Sequence, residues 1–240
     1  MTDNYVELHC HSCFSFREGA STPAELVLAA RRLGYGALAL TDHDNLAGAM
    51  EFAQVAKEWG VRPIIGAEMT LRGAPAGDGG AAPSTHLTLL AETQRGYANI
   101  SRLLSHAHLS SPRDAPSLDP AELVACAAGV IALSGCRGGE ISPLVEAGDF
   151  DAACETASRY AAIFGTRNFF IELQHNLVHG DRARNRGLVE LARTLGLDVV
   201  ATNNVHYHDR TRHRLQDVLV AVRHRSTLDA SEHLRRKNAE

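Results

Sequence analysis

Short aliphatic and β-branched runs alternate along this chain with longer stretches of helical periodicity, the pattern expected of a parallel α/β fold. Seven runs read as strands: Tyr5 to His9, Ala37 to Thr41, Pro63 to Leu71, His86 to Ala91, Val130 to Leu133, Phe169 to Leu173 and Val199 to Thr202. Helix starts are marked by Thr22-Pro23 and Asp119-Pro120, where a capping side chain precedes a proline at the first helical position. Gly34, Gly60, Gly165 and Gly196 each follow an apolar periodic run and are expected to end helices. The stretch Arg72 to Thr85, rich in Gly, Ala and Pro, reads as a flexible loop. It joins two strand-like runs with no helix between them, so those runs are expected to be antiparallel neighbours.

Polar residues with metal-ligand chemistry gather where these strands end. The first strand ends in His9-Cys10-His11, and residues two apart on extended chain point the same way, so both imidazoles can face one ion while Cys10 points elsewhere. The second ends in Thr41-Asp42-His43-Asp44, the third carries Glu68, and the fifth runs into Ser134-Gly135-Cys136. The sixth carries Glu172 with His175 close behind, and the seventh runs into Asn203-Asn204-Val205-His206. His86 begins its strand, but a strand running antiparallel to its neighbours begins at the same rim. One His-x-His alone is ordinary; several such residues converging on one strand end point to a metal site. His106, His108, His179, His208, His213, His224 and His233 read as partly exposed residues without a ligand role, and Cys126 and Cys154 as small core residues.

Composition narrows the reading. Hydrophobic residues at 45% and charged residues at 22% are usual for a globular domain, and no stretch approaches the ~18 apolar residues of a membrane span. No association with a membrane is expected. MTDNYVELHCH has no basic segment followed by an apolar one, so a cytoplasmic location is expected. A net charge of −4 argues against wrapping nucleic acid by bulk electrostatics. Five cysteines do not form an even framework, and Cys10-x-x-Cys13 has no second such pair to complete a zinc site, so reduced thiols are expected. Thirteen histidines are the compositional anomaly, and they favour metal chemistry.

Taken together, YVELHCHSCFSFREGAS, ALALTDHDNLAGAM, IIGAEMTL, HLTLLAETQRGYANISRLL, VIALSGCRGGEI, FFIELQ and VVATNNVHYH resemble the PHP domain of bacterial C-family DNA polymerases, most closely the error-prone branch related to the replicative alpha subunit. The resemblance spans essentially the whole chain. It implies one domain over 1–240, a distorted seven-stranded (β/α) barrel with a site for up to three divalent ions at the C-terminal rim of its strands. Zinc or manganese is expected there, with magnesium or iron as alternatives. Carried over by position, His9, His11, Glu68 and Asn204 hold one ion; Glu68, His86 and Cys136 a second; Glu18, His43 and His206 a third. Glu18 stands where the polymerase branch usually has Asp, and Asn204 where active relatives usually have Asp, so one position offers a neutral amide in place of a carboxylate.

The activity so implied is hydrolysis of a phosphodiester at a DNA 3′ end, a 3′ to 5′ exonuclease in which His9, His11, His43, Glu68 and His206 take part. Residues ~209–240 would lead toward a polymerase region of a longer parent chain, since HLRRKNAE lies where that family continues toward its palm. Two other readings stay open: a free-standing phosphatase acting on a small phosphomonoester such as histidinol phosphate, and a catalytically inactive domain whose metals stabilise a polymerase.

Overall fold

The computed structural model describes residues 5–73 and 83–235. Among these residues six strands form one sheet in chain order: β1 (Ala37–Leu40), β2 (Arg62–Leu71), β3 (Thr85–Ala91), β4 (Val130–Leu133), β5 (Phe169–Gln174) and β6 (Val199–Thr202). β1 pairs with β2, β4 with β5 and β5 with β6 in parallel, whereas β3 is antiparallel to both neighbours. The hairpin expected from the missing helix is therefore present, with Thr70 opposite His86. Residues 74–82 of the proposed flexible loop lie outside the described residues.

The described residues also form eight α-helices: α1 (Pro23–Arg32), α2 (Ala49–Glu58), α3 (Gln94–Ser110), α4 (Leu123–Cys126), α5 (Ile141–Ala147), α6 (Phe150–Phe164), α7 (Asp181–Leu195) and α8 (His213–Arg223). α1 starts as its sequence indicates, with Thr22 and Glu25 forming a reciprocal capping box and Pro23 at the first helical position. Asp119-Pro120 instead opens a 3₁₀ turn that leads into the single turn of α4. α7 ends at Gly196, whose left-handed backbone (φ 65°) returns its amide to the last carbonyls of the helix.

The first of the seven expected strands is not a regular strand. Residues 7–11 divide their backbone bonds between the two edges of the sheet. The Glu7 and Cys10 carbonyls accept from Ala39 and Thr41 on one side, while on the other His11 donates to Val205 and Val205 donates to His9. Only isolated bridges result, Glu7 to Leu38 and Cys10 to Val205. The architecture is thus a six-stranded sheet curled until this segment spans its edges.

Alternation along the strands positions the site. On β2, the residues Ile64, Gly66 and Glu68 share one face; Phe170 and Glu172 do so on β5, and Val200 and Thr202 on β6. Antiparallel β3 gives the same progression in reverse, Leu90, Thr88, His86. An apolar cluster containing Ala39, Leu90 and Leu133, packed against Ile64, Phe170 and Val200, fills the inside of the curl, and one side-chain repeat further the same face turns polar. Gly66 is required at this level, because a Cβ there would come within 2.3 Å of the Leu89 carbonyl oxygen. Outside the curl, α3, α6 and α7 pack the main core on β2 to β5, while α1 and α2 enclose a smaller one with Phe52, Leu38 and Leu40.

No helix among the described residues is long and apolar enough to cross a membrane. Phe52 is wholly buried in α2 whereas Met50, two residues earlier, is 80% exposed. We expect Phe52→Ala to cost about 3–5 kcal/mol and Met50→Ala to stay within about 0.5 kcal/mol, measured by denaturant unfolding; equal effects would show that α2 packs through another face.

Candidate metal centre

Glu68 lies at the centre of the rim and is almost wholly buried. Its Oε1 is 3.3 Å from His9 Nε2, 3.5 Å from His86 Nδ1 and 3.5 Å from Cys136 Sγ. Its Oε2 is 3.3 Å from His43 Nδ1 and 3.5 Å from His11 Nε2. Among the described residues two groups have ligand atoms close enough to share a cation: His9, His11 and Glu68, and His43, Glu68 and His86. Burial works against a charge on Glu68, yet the facing His86, His9 and His43 hold its carboxyl well below the usual carboxylate range.

Each expected site residue can be placed. His9 and His11 come from the segment that spans the sheet edges, Glu68 and His86 from adjacent β2 and β3, and Cys136 from the turn after β4. His43 follows β1 and stands between two carboxylates, its Nδ1 3.2 Å from Glu18 and 3.3 Å from Glu68. His43 thus shares Glu68 with His86 and also faces Glu18, the partner that the resemblance gives it. Glu18 turns its other oxygen to Arg223 of α8, so its charge is shared between site and helix. The His206 ring lies 4.4 Å from that of His11, and its Nδ1–H donates to the Asn204 carbonyl at 2.9 Å. Asn204 has a left-handed backbone (φ 50°), a conformation Asn tolerates better than most residues. Glu18, His43, Glu68, His86, Cys136, Asn204 and His206 all line one cavity of about 700 Å³.

The donor set suits a cation. His9 Nε2, His86 Nδ1 and Asn204 Oδ1 are buried and make no hydrogen bond among the described residues. Lone pairs removed from water without a donor cost free energy, and imidazole, carboxylate and thiolate together match the preferences of divalent transition metals.

Some participants were not identifiable from their sequence positions. Glu172 is fully enclosed and accepts His9 Nδ1–H at 2.7 Å, and it is itself held by Gln174 at 2.8 Å and by Thr202. Its place on a strand with polar neighbours was visible in the sequence, but its partner was not. His108, read as a helix residue without a ligand role, donates from Nε2 to the Asp44 carbonyl at 2.6 Å and so supports the turn that carries His43. Exposed His106 pairs with half-buried Glu122. Cys10 is buried and Cys13 exposed, both as free thiols.

A curled α/β sheet with His/Glu clusters on its C-terminal rim defines a class of candidate metal-dependent hydrolases. The chain belongs to the PHP domain family, which it matches over residues 7–176. It is 42% identical over 242 residues to an error-prone DNA polymerase from Symbiobacterium thermophilum, covering 94% of this chain and 21% of that protein. The error-prone DNA polymerase of Mycobacterium tuberculosis strain H37Rv is 40% identical over 229 residues, covering 95% of this chain and 21% of that one. The DNA polymerase III alpha subunit of Thermus aquaticus is 38% identical over 238 residues, covering 96% and 19%. The chain thus spans about one fifth of the length of these polymerases. Among solved structures, a candidate metal-dependent phosphoesterase from Bifidobacterium adolescentis superposes with a TM-score of 0.55 at 19% identity, covering 84% of this chain and 87% of that one, which shows a shared fold.

Burial pulls His9 toward its neutral form, but the Glu172 and Glu68 carboxylates outweigh it and push its pKa up to about 10 in the absence of metal. Glu172→Gln keeps the shape and removes one negative charge that favours the imidazolium. We expect the His9 titration midpoint in metal-free protein, followed by NMR, to fall; an unmoved midpoint would mean that Glu68 alone sets it.

Proposed function

We propose that this rim is a divalent-metal phosphoesterase centre and that residues 1–240 form the PHP domain of an error-prone C-family DNA polymerase, trimming DNA 3′ ends as a 3′ to 5′ exonuclease. The carrying observation is the meeting of His9, His11, His43, His86 and Cys136 on the two oxygens of one buried carboxylate, Glu68. Similarity to error-prone polymerases over nearly the whole chain supports the DNA substrate and the location in the cytoplasm.

In this reading His9, His11, Glu68 and Asn204 would hold one ion, Glu68, His86 and Cys136 a second, and Glu18, His43 and His206 a third. Zinc or manganese suits these donors, magnesium or iron less well. Ions so bound supply Lewis acidity, lowering the pKa of water and polarising a phosphoester oxygen. The chain's own contribution is to fix the ligands: Glu172 holds the His9 ring, and Glu68 neutralises the imidazole cluster. Residues ~209–240 lead toward the polymerase region.

Two features favour a second reading, in which bound metal stabilises the domain without turnover. Asn204 supplies a neutral oxygen, and Glu18 is already paired with Arg223. Elemental analysis followed by digestion of a 3′-labelled primer with zinc, manganese and magnesium separates the readings. We expect bound metal and 3′ to 5′ cleavage, both lost in His9→Ala and His43→Ala. Metal that raises the melting temperature, by about 2.7 kcal/mol of stability at 100 times Kd, without any cleavage would establish the second reading. Asn204→Asp adds a carboxylate to the buried Oδ1 position and is expected to tighten metal binding in either case; unchanged affinity would remove Asn204 from the ligand set.

A further inference from the structure

A histidine ring offers one nitrogen to a cation, and the hydrogen bond made by the other nitrogen decides which one. At His43 that bond goes to a hydroxyl, with Nε2 2.8 Å from Thr70 Oγ1. Thr70 cannot donate to the ring, because its hydroxyl donates to Asp44 Oδ2 at 2.6 Å while its amide donates to Asp44 Oδ1 at 2.7 Å. A lone pair of Thr70 therefore meets Nε2, and Nε2 must carry the hydrogen. Asp44 Oδ2, itself 3.3 Å from Nε2, selects the same form. In the neutral ring Nδ1 is then left with the lone pair, and it is Nδ1 that faces Glu18 and Glu68.

His11 repeats the device with other residues and the opposite outcome. Its Nδ1 is 3.0 Å from Ser15 Oγ, which donates to Asp42 Oδ1 at 2.7 Å and accepts the His43 amide at 3.0 Å. Asp42 is anchored in turn by the Ser12 amide at 2.7 Å and the Ser12 hydroxyl at 2.8 Å. Nδ1 of His11 must then carry the hydrogen, and Nε2 faces Glu68. Ser15, Asp42 and Asp44 are all buried, so water does not readily take over these bonds.

Resting on the metal-centre reading, we propose that Asp42 acting through Ser15 and Asp44 acting through Thr70 are positioning pairs that impose opposite tautomers on His11 and His43. They thereby choose the nitrogen that each ring presents beside Glu68. His11 presents Nε2 and His43 presents Nδ1 to the same Glu68 oxygen, and each hydroxyl-carboxylate pair fixes that choice in the neutral ring.

The test uses Thr70→Val, which matches the shape and keeps the amide bond to Asp44, alongside Thr70→Ser, which keeps the hydroxyl. Imidazole 15N spectra are recorded on metal-free protein at a pH where the rings are neutral, and zinc affinity is measured by competition with a chelating dye. Wild type and Thr70→Ser should show His43 with Nε2 protonated and His11 with Nδ1 protonated. Thr70→Val should lose the His43 preference and bind zinc about 10- to 100-fold more weakly, with an unchanged His11 signal. If Thr70→Val does not fold, Ser15→Ala provides the same reading at His11. Nδ1 protonation of His43 in wild type, or a Thr70→Val protein with unaltered tautomer and zinc affinity, overturns the proposal. The predicted tautomers in a wild-type protein that binds no zinc would support the positioning pairs and sink only the metal centre.

Discussion

Glu68 is a carboxylate taken out of water and ringed by imidazoles, and the remainder of the rim follows from the need to keep that charge. An isolated buried carboxylate costs several kcal/mol and would take up a proton. Here His9, His43 and His86 make the ionised form the favoured one. The same cluster, once neutral, is a set of lone pairs directed at a common space, which is a costly arrangement with nothing between them. A proton or a cation relieves it, so the folded chain carries a standing preference for positive charge at this point.

That preference depends on the sheet curling. Glu68 and His86 are neighbours because β2 and β3 are antiparallel, and His9 and His11 reach them because residues 7–11 join β1 to the segment after β6. The apolar layer one repeat below, including Ile64, Leu90, Phe170 and Val200, holds the strands in register. A slip of one residue on any strand would exchange its rim residue for one from the opposite face. Packing inside the curl and ligand geometry at its mouth are therefore one constraint rather than two.

Around this centre lies an outer layer of acids with distinct tasks. Glu172 meets His9 directly, Asp42 accepts from Ser15, and Asp44 accepts from Thr70 and also lies 3.3 Å from His43 Nε2. His108 steadies the Asp44 carbonyl from α3, tying a helix that contributes no rim ligand to the turn that contributes His43. Asp42 and Asp44 each also accept a backbone amide, from Ser12 and Thr70, which ties these two acids to the chain that places them.

The sequence by itself determined the α/β alternation, the antiparallel hairpin of β2 and β3, and the residue types that gather at the strand ends, because each follows from periodicity and chain connectivity. His9, His11, Glu68 and His86 were legible as one-face residues for that reason, and Asn204 as a departure from the family pattern. Only the tertiary structure decided that residues 7–11 form no regular strand, since two sheet edges compete for their backbone groups. It also decided that His43 stands between Glu18 and Glu68, that Glu172 serves His9, and that His108 is engaged. A strand's period assigns a face to a side chain, but the direction of a hydrogen bond depends on hydroxyls and carboxylates brought from distant parts of the chain.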